Sequence, residues 1–139
     1  MRESEGLRFE EVDHTADIAI RVWGRDLAEL FANAAYGMAC QLGQADHVIP
    51  THEQQIELEA YDLETLLVTW LSELLYLLER DGRVFTEFDI HEVTETRLRA
   101  TIHGGPAVER RYAIKAVTFS DLQVARTAHG YETTIVFDV

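Results

Sequence analysis

The segment from Asp62 to Arg80 constrains this chain more than any other. Leu63, Leu66, Leu67, Trp70, Leu71, Leu74, Leu75 and Leu78 recur at helical spacing, and Asp62 stands where an N-cap residue belongs. The spacing predicts a helix from Leu63 to about Arg80, ended by the turn signal Asp81-Gly82. Val68, Tyr76 and Leu77 lie outside the centre of the stripe and spread apolar contact around the helix. Such a helix must pack on a sheet with one side and touch a second helix with another. That second helix is predicted after Gly24-Arg25. Asp26 followed three residues on by Glu29 is a capping-box pattern, and Leu27, Leu30, Phe31, Ala34, Ala35 and Met38 form one stripe. Both stripes read as core and carry no chemistry.

Strands are expected around these helices. Phe9 to Val12 is a short one, and Ile18 to Trp23 alternates, with Ile18, Ile20 and Val22 on one face and Ala19, Arg21 and Trp23 on the other. After a connection from Gly43 to Pro50, residues His52 to Ala60 set Ile56, Leu58 and Ala60, together with Gln54, against a row of Glu53, Gln55, Glu57 and Glu59. Val84 to His91 and Arg97 to His103 are expected to pair through Thr94-Glu95-Thr96, with Gly104-Gly105-Pro106 breaking the chain after them. Tyr112 to Thr118, Leu122 to Thr127 and Tyr131 to Val139 complete the strands, the last two joined by Ala128-His129-Gly130. Residues 1–8 read as a frayed start, and Glu109-Arg110-Arg111 as a compact basic patch on a solvated loop. Two helices between strands, then a run of strands, predict an α+β fold: a two-layer domain, two helices packed on a mixed or mostly antiparallel sheet. No repeat or boundary divides the chain, so residues 1–139 are expected to form a single domain.

Charge narrows the function. The formal net charge is −13, with acids outnumbering bases about two to one. Broad nucleic-acid binding rests on Lys and Arg neutralising phosphates, so this balance disfavours it; the acidity either favours a basic protein partner steered by the field or only maintains solubility, and composition does not separate the two. No apolar run is long enough to cross a bilayer, and the charged start (Arg2, Glu3, Glu5) is no signal peptide. Cys40 is the one cysteine, excludes an internal disulfide and is expected to serve packing. A cytoplasmic location is expected.

The chain has no GxxxxGK[ST] loop, GxSxG elbow, CxxC or HExxH, and its six histidines show no paired zinc-ligand spacing. It also lacks an obvious nucleophile–base pair. What remains is oxygen. Glu11-Val12-Asp13-His14-Thr15-Ala16-Asp17 sets two more carboxylates and an imidazole between Glu11 and the strand. On spacing alone the favoured reading is that Asp13 and Thr15 cap a turn. Asp17 begins one strand, Asp138 ends another, and Val139 closes the sequence with an α-carboxylate. Were the two strand ends adjacent, these hard oxygen groups would suit Ca2+, Mg2+ or Mn2+ rather than zinc or copper. Spacing does not set that adjacency.

Four stretches together carry a family resemblance. They are His14-Thr15-Ala16-Asp17 before an alternating strand and Gly24, Asp62 to Leu75, Ile114-Lys115-Ala116-Val117-Thr118, and Phe137-Asp138-Val139. In this order they resemble the archease family over almost the whole chain. The resemblance implies the two-layer α+β fold and a divalent metal held by Asp17, Asp138 and Val139. Asp13 is then an accessory or water-mediated ligand or a capping residue, and His14 fixes the loop by a hydrogen bond. Lys115 packs its stem and reaches a carboxylate with its amine, or else contacts a partner or phosphate. The resemblance also implies a non-enzymatic role in tRNA splicing. The chain would activate a GTP-dependent RNA ligase that rejoins 2′,3′-cyclic-phosphate or 3′-phosphate ends, promoting guanylylation of the ligase's histidine and multiple turnover. Two departures stand out: Phe119-Ser120 where the family usually has an aromatic and a His, and Gly104-Gly105 where Gly-Glu is frequent. The alternatives are a stand-alone metal-dependent phosphohydrolase and an RNA-processing chaperone module.

Overall fold

The computed structural model describes residues 8–12, 17–108, 114–120 and 122–139. Strands β1 (Phe9–Val12) and β2 (Ile18–Gly24) precede helix α1 (Leu27–Gln41); β3 (His52–Glu59) precedes helix α2 (Leu63–Asp81). The rest is strand: β4 (Arg83–Val93), β5 (Arg97–Pro106), β6 (Ala116–Val117), β7 (Ala125–Thr127) and β8 (Gly130–Asp138).

The helix ends follow local chemistry. Asp62 accepts the Thr65 N–H at 2.8 Å, and α2 closes on Gly82 at φ 68°, whose N–H returns to the Leu78 carbonyl at 2.8 Å. A left-handed terminal residue favours glycine because a Cβ is strained there. At α1, Asp26 accepts the Glu29 N–H at 2.8 Å, as a capping box requires. The return bond differs from the expected box. Glu29 accepts from the Arg25 N–H, one residue before the cap, at 2.8 Å, and also holds the Arg25 guanidinium.

All the described strand pairings are antiparallel, and the expected layering of two helices on sheet holds, with the strands divided between two sheets. One has the order β1-β2-β8-β6 with β7 also on β8; the other has the order β3-β5-β4. Both helices lie between them in contact terms: α1 packs on β2 and β4, and α2 on β3, β4 and β6. Trp70 joins the layers, fully buried, its indole N–H donating to the Phe31 carbonyl of α1 at 3.0 Å and its ring edge-on to Phe88 of β4. One buried cluster draws Ile20, Phe31, Leu71, Ile102 and Phe137 together from both sheets and both helices.

Two expectations need correction. Gly104-Gly105-Pro106 does not break the chain; β5 runs through it, pairing with Arg83, Val84 and Phe85 on one side and His52 on the other. The glycines are needed for close approach, since a Cβ on Gly104 would strike the Val84 carbonyl and one on Gly105 the Ile49 carbonyl. The strand expected from Leu122 is also shorter, starting at Ala125. Its first backbone groups are satisfied by side chains: Glu64 accepts the Val124 N–H at 2.9 Å, and the Thr133 hydroxyl donates to the Gln123 carbonyl at 3.0 Å. Of the strand expected from Tyr112, Ala116–Val117 is paired, while residues 112 and 113 and the Glu109-Arg110-Arg111 patch lie outside the described residues. Cys40 is half-buried, and burial pushes its thiol pKa up. Among the described residues no helix is long and apolar enough to cross a membrane.

Candidate functional site

β8 sits between β2 and β6, and its last residues set the geometry. Ile18 pairs with Phe137 at the end of the β2–β8 ladder, so Asp17 enters β2 where Asp138 leaves β8. On the other side Ala116 pairs with Asp138 and Val117 with Phe137. The Lys115 N–H then donates to the Asp138 carbonyl at 2.7 Å, which fixes Lys115 beside the last two residues. Four residues singled out in the sequence, Asp17, Lys115, Asp138 and Val139, therefore meet at one sheet end. Their anchors are firm, since Phe137 and Val117 are buried on either side of the ladder. The groups themselves reach outward: Lys115, Asp138 and Val139 are exposed and Asp17 is half-buried. Asp13 and His14 lie outside the described residues.

The donor set fits a hard cation. Both side chains are carboxylates, and Val139, with an apolar side chain, can offer only main-chain oxygen. Among the described residues no group of three or more His, Cys, Asp or Glu converges, so a nitrogen- or sulfur-rich zinc cage is not formed by them. An exposed oxygen set of this size leaves ligand positions for water or for a partner.

Three of the described histidines are placed elsewhere. His103 contacts Glu53 at 3.0 Å and His91 contacts Thr101 at 2.7 Å on the outer face of the three-stranded sheet, while His52 lies 3.5 Å from Arg83. Two other residues have a role that the helical stripe conceals. Gln41 and Gln44 are 1% and 0% exposed at the end of α1, which returns along β2 toward the same sheet end. Gln41 donates to Glu11 at 3.1 Å, and Gln44 accepts the Val108 N–H at 2.8 Å. They tie the last part of β1 and the exit of β5 to the helix. A pair of amides just past an apolar stripe, on either side of Gly43, is the sequence signal for them.

Fold and site together define an α+β protein, two helices packed on antiparallel sheets, with Asp17 and Asp138 brought to one sheet end. The chain belongs to the Archease protein family, whose model matches residues 9–139. A protein archease from Methanosarcina mazei is 37% identical over 98% of this chain and 99% of its own length. One from Saccharolobus islandicus is 37% identical over 94% and 98%. The solution structure of Methanobacterium thermoautotrophicum protein 1598 superposes with a TM-score of 0.78 at 30% identity, covering 94% of this chain and 98% of that one. The crystal structure of an archease from Thermotoga maritima, described as a possible chaperone, shares the fold at a TM-score of 0.68 and 21% identity, over 92% of this chain and 94% of its own. The resemblance carried by the four sequence stretches is thereby borne out at the level of family and fold.

Proposed function

We propose that this chain is a metal-binding protein cofactor that activates a GTP-dependent 3′-phosphate RNA ligase in tRNA splicing or RNA repair. The observation that carries the reading is the meeting of Asp17, Asp138, Val139 and Lys115 where β2, β8 and β6 end together. Asp17 and Asp138, with main-chain oxygen from Val139, would hold the ion, and Asp13 and His14 are accessory. A bound Ca2+, Mg2+ or Mn2+ supplies charge neutralisation and orientation for a triphosphate. The chain's own part is to present anionic oxygens on a rigid edge and to set the Lys115 amine beside them, where a carboxylate or a phosphate can meet it. Histidine guanylylation in the ligase is limited by that kind of positioning, so the chain acts on a partner's reaction and catalyses none itself. Archease from Thermotoga maritima is described as a possible chaperone, and a protein partner is common to that description and to this proposal.

The test is a guanylylation assay of purified ligase with GTP, with and without this chain, across a series of divalent ions. Acceleration that needs both the chain and the ion is expected. Ligase guanylylated at the same rate in either case, alongside phosphatase activity of the chain alone, would move the reading to a metal-dependent phosphohydrolase.

A further inference from the structure

Strand β3 is an outer strand of its sheet, and its pairing leaves one side open. It follows β5 without a register shift, from His52 opposite Gly104 to Glu59 opposite Arg97. One step further in the same register, the Ala60 N–H donates to the Thr96 carbonyl at 3.0 Å. Bonded and non-bonded pairs alternate along an antiparallel ladder. His52, Gln54, Ile56 and Leu58 therefore bond to β5, and the N–H and C=O groups of Glu53, Gln55, Glu57 and Glu59 point away from it. Among the described residues no hydrogen bond is made to those outward groups. The side chains of the same four residues are exposed, on the face opposite to that of the buried Ile56. β4, at the far side of this sheet, departs from regular pairing at Phe85/Glu87 and at Ile90/Glu92, the kind of irregularity that blunts an edge. β3 has no such shift and no proline.

Charge selects what can pair there. Two copies of β3 laid edge to edge would set glutamates opposite one another, which is destabilising, whereas a basic strand would meet an opposite charge at the same positions. The carboxylates remain open to a further cation: Glu53 and Glu59 are 62% and 75% exposed even where they meet His103 and Arg97. We propose that the open edge of β3 takes up an extended segment of a protein partner as an added strand, with Lys or Arg at every second position opposite Glu53, Glu57 and Glu59. Main-chain hydrogen bonds supply the affinity and the alternate side chains the specificity. This edge belongs to the other sheet from the Asp17–Asp138 end, and the inference does not depend on the ligase reading.

The probe is a capped peptide alternating Lys and Thr, titrated into the isotope-labelled full chain and followed by NMR and amide hydrogen exchange. A Glu–Thr peptide and a Lys–Thr peptide N-methylated at its lysines are the controls. The Lys–Thr peptide is expected to slow exchange at Glu53, Gln55, Glu57 and Glu59 while leaving Gln54 and Ile56, which already bond to β5, unchanged. The N-methylated peptide should bind about tenfold more weakly, since its outward bonds are lost. Gln55→Pro removes one outward N–H without touching a charge or a bond to β5, so the folded variant should lose peptide affinity. Glu57→Gln keeps the backbone and should weaken the peptide about threefold. Equal affinity of the plain and N-methylated peptides would mean contact by charge alone and overturn the added strand, whether or not Gln55→Pro folds. So would unslowed exchange at the four amides, or a Lys–Thr peptide that does not bind. A Glu–Thr peptide bound as tightly would overturn the basic partner. Concentration-dependent dimers of the wild type that compete with the peptide would give the edge to a second copy and overturn the proposal.

Discussion

Asp138 is held from two sides, by β2 through the neighbouring Ile18–Phe137 pair and by β6 through Ala116 and the Lys115 N–H, yet its carboxylate is exposed. A group so placed has little to do for the fold and is free to act on a ligand. Asp138→Ala is therefore expected to keep the wild-type melting temperature, and both Asp138→Ala and Asp17→Ala to lose most Mn2+ affinity and ligase acceleration. Calorimetric titration with Mn2+ and the guanylylation assay check this; a folded variant with normal values for both would remove that residue from the site. The meeting of these residues was not legible from spacing. Asp17 and Asp138 lie at opposite ends of the chain, and nothing short of the β2–β8 register joins them. Only the family resemblance anticipated the cluster. The buried amides of Gln41 and Gln44 were hidden for another reason: a polar residue just beyond an amphipathic stripe looks solvated until the segments it ties down are known.

At the scale of elements, what was legible is local. The caps and stripe of α2 depend on neighbours within a turn or two, and the helix appears where its residues place it. Its cap gives a pH test. The Asp62 carboxyl is held below its ordinary value of 3.8 by the hydrogen bonds that Thr65 donates to it, first from its side chain and then from its backbone N–H. A depressed folded value means stability that is full above the ordinary value and is lost as pH falls through the lower, folded one. The melting-temperature gap between wild type and Asp62→Ala should thus be constant near neutrality and shrink below about pH 3.8. Asp62→Asn, which caps without a charge, should show no such change in its own gap to Asp62→Ala. Long-range features were less legible. Gly104-Gly105-Pro106 reads as a breaker because glycine and proline usually are. Here the glycines let β5 lie against the Val84 and Ile49 carbonyls. Gly104→Ala should accordingly destabilise the protein by about 1–3 kcal/mol through overpacking against backbone that cannot yield. Urea unfolding measures it, and a neutral result would return this stretch to an ordinary turn.

On the scale of the whole molecule the formal charge of −13 acts at a distance that no single contact covers. Such a field repels phosphate chains and attracts basic surfaces, so under the proposed function it would favour a protein over free RNA as the first contact. The carboxylates at the sheet end would work at short range, whereas the net charge sets how often a partner arrives. These contributions respond differently to salt. Screening shortens the field to about 10 Å at 0.1 M and about 3 Å at 1 M ionic strength, which suppresses steering but hardly touches contacts already made at short range. Stopped-flow association with the ligase should therefore slow steeply as sodium chloride rises, with dissociation changing far less. An association rate indifferent to salt would mean that the acidity serves solubility alone, and that the partner is found without help from the field.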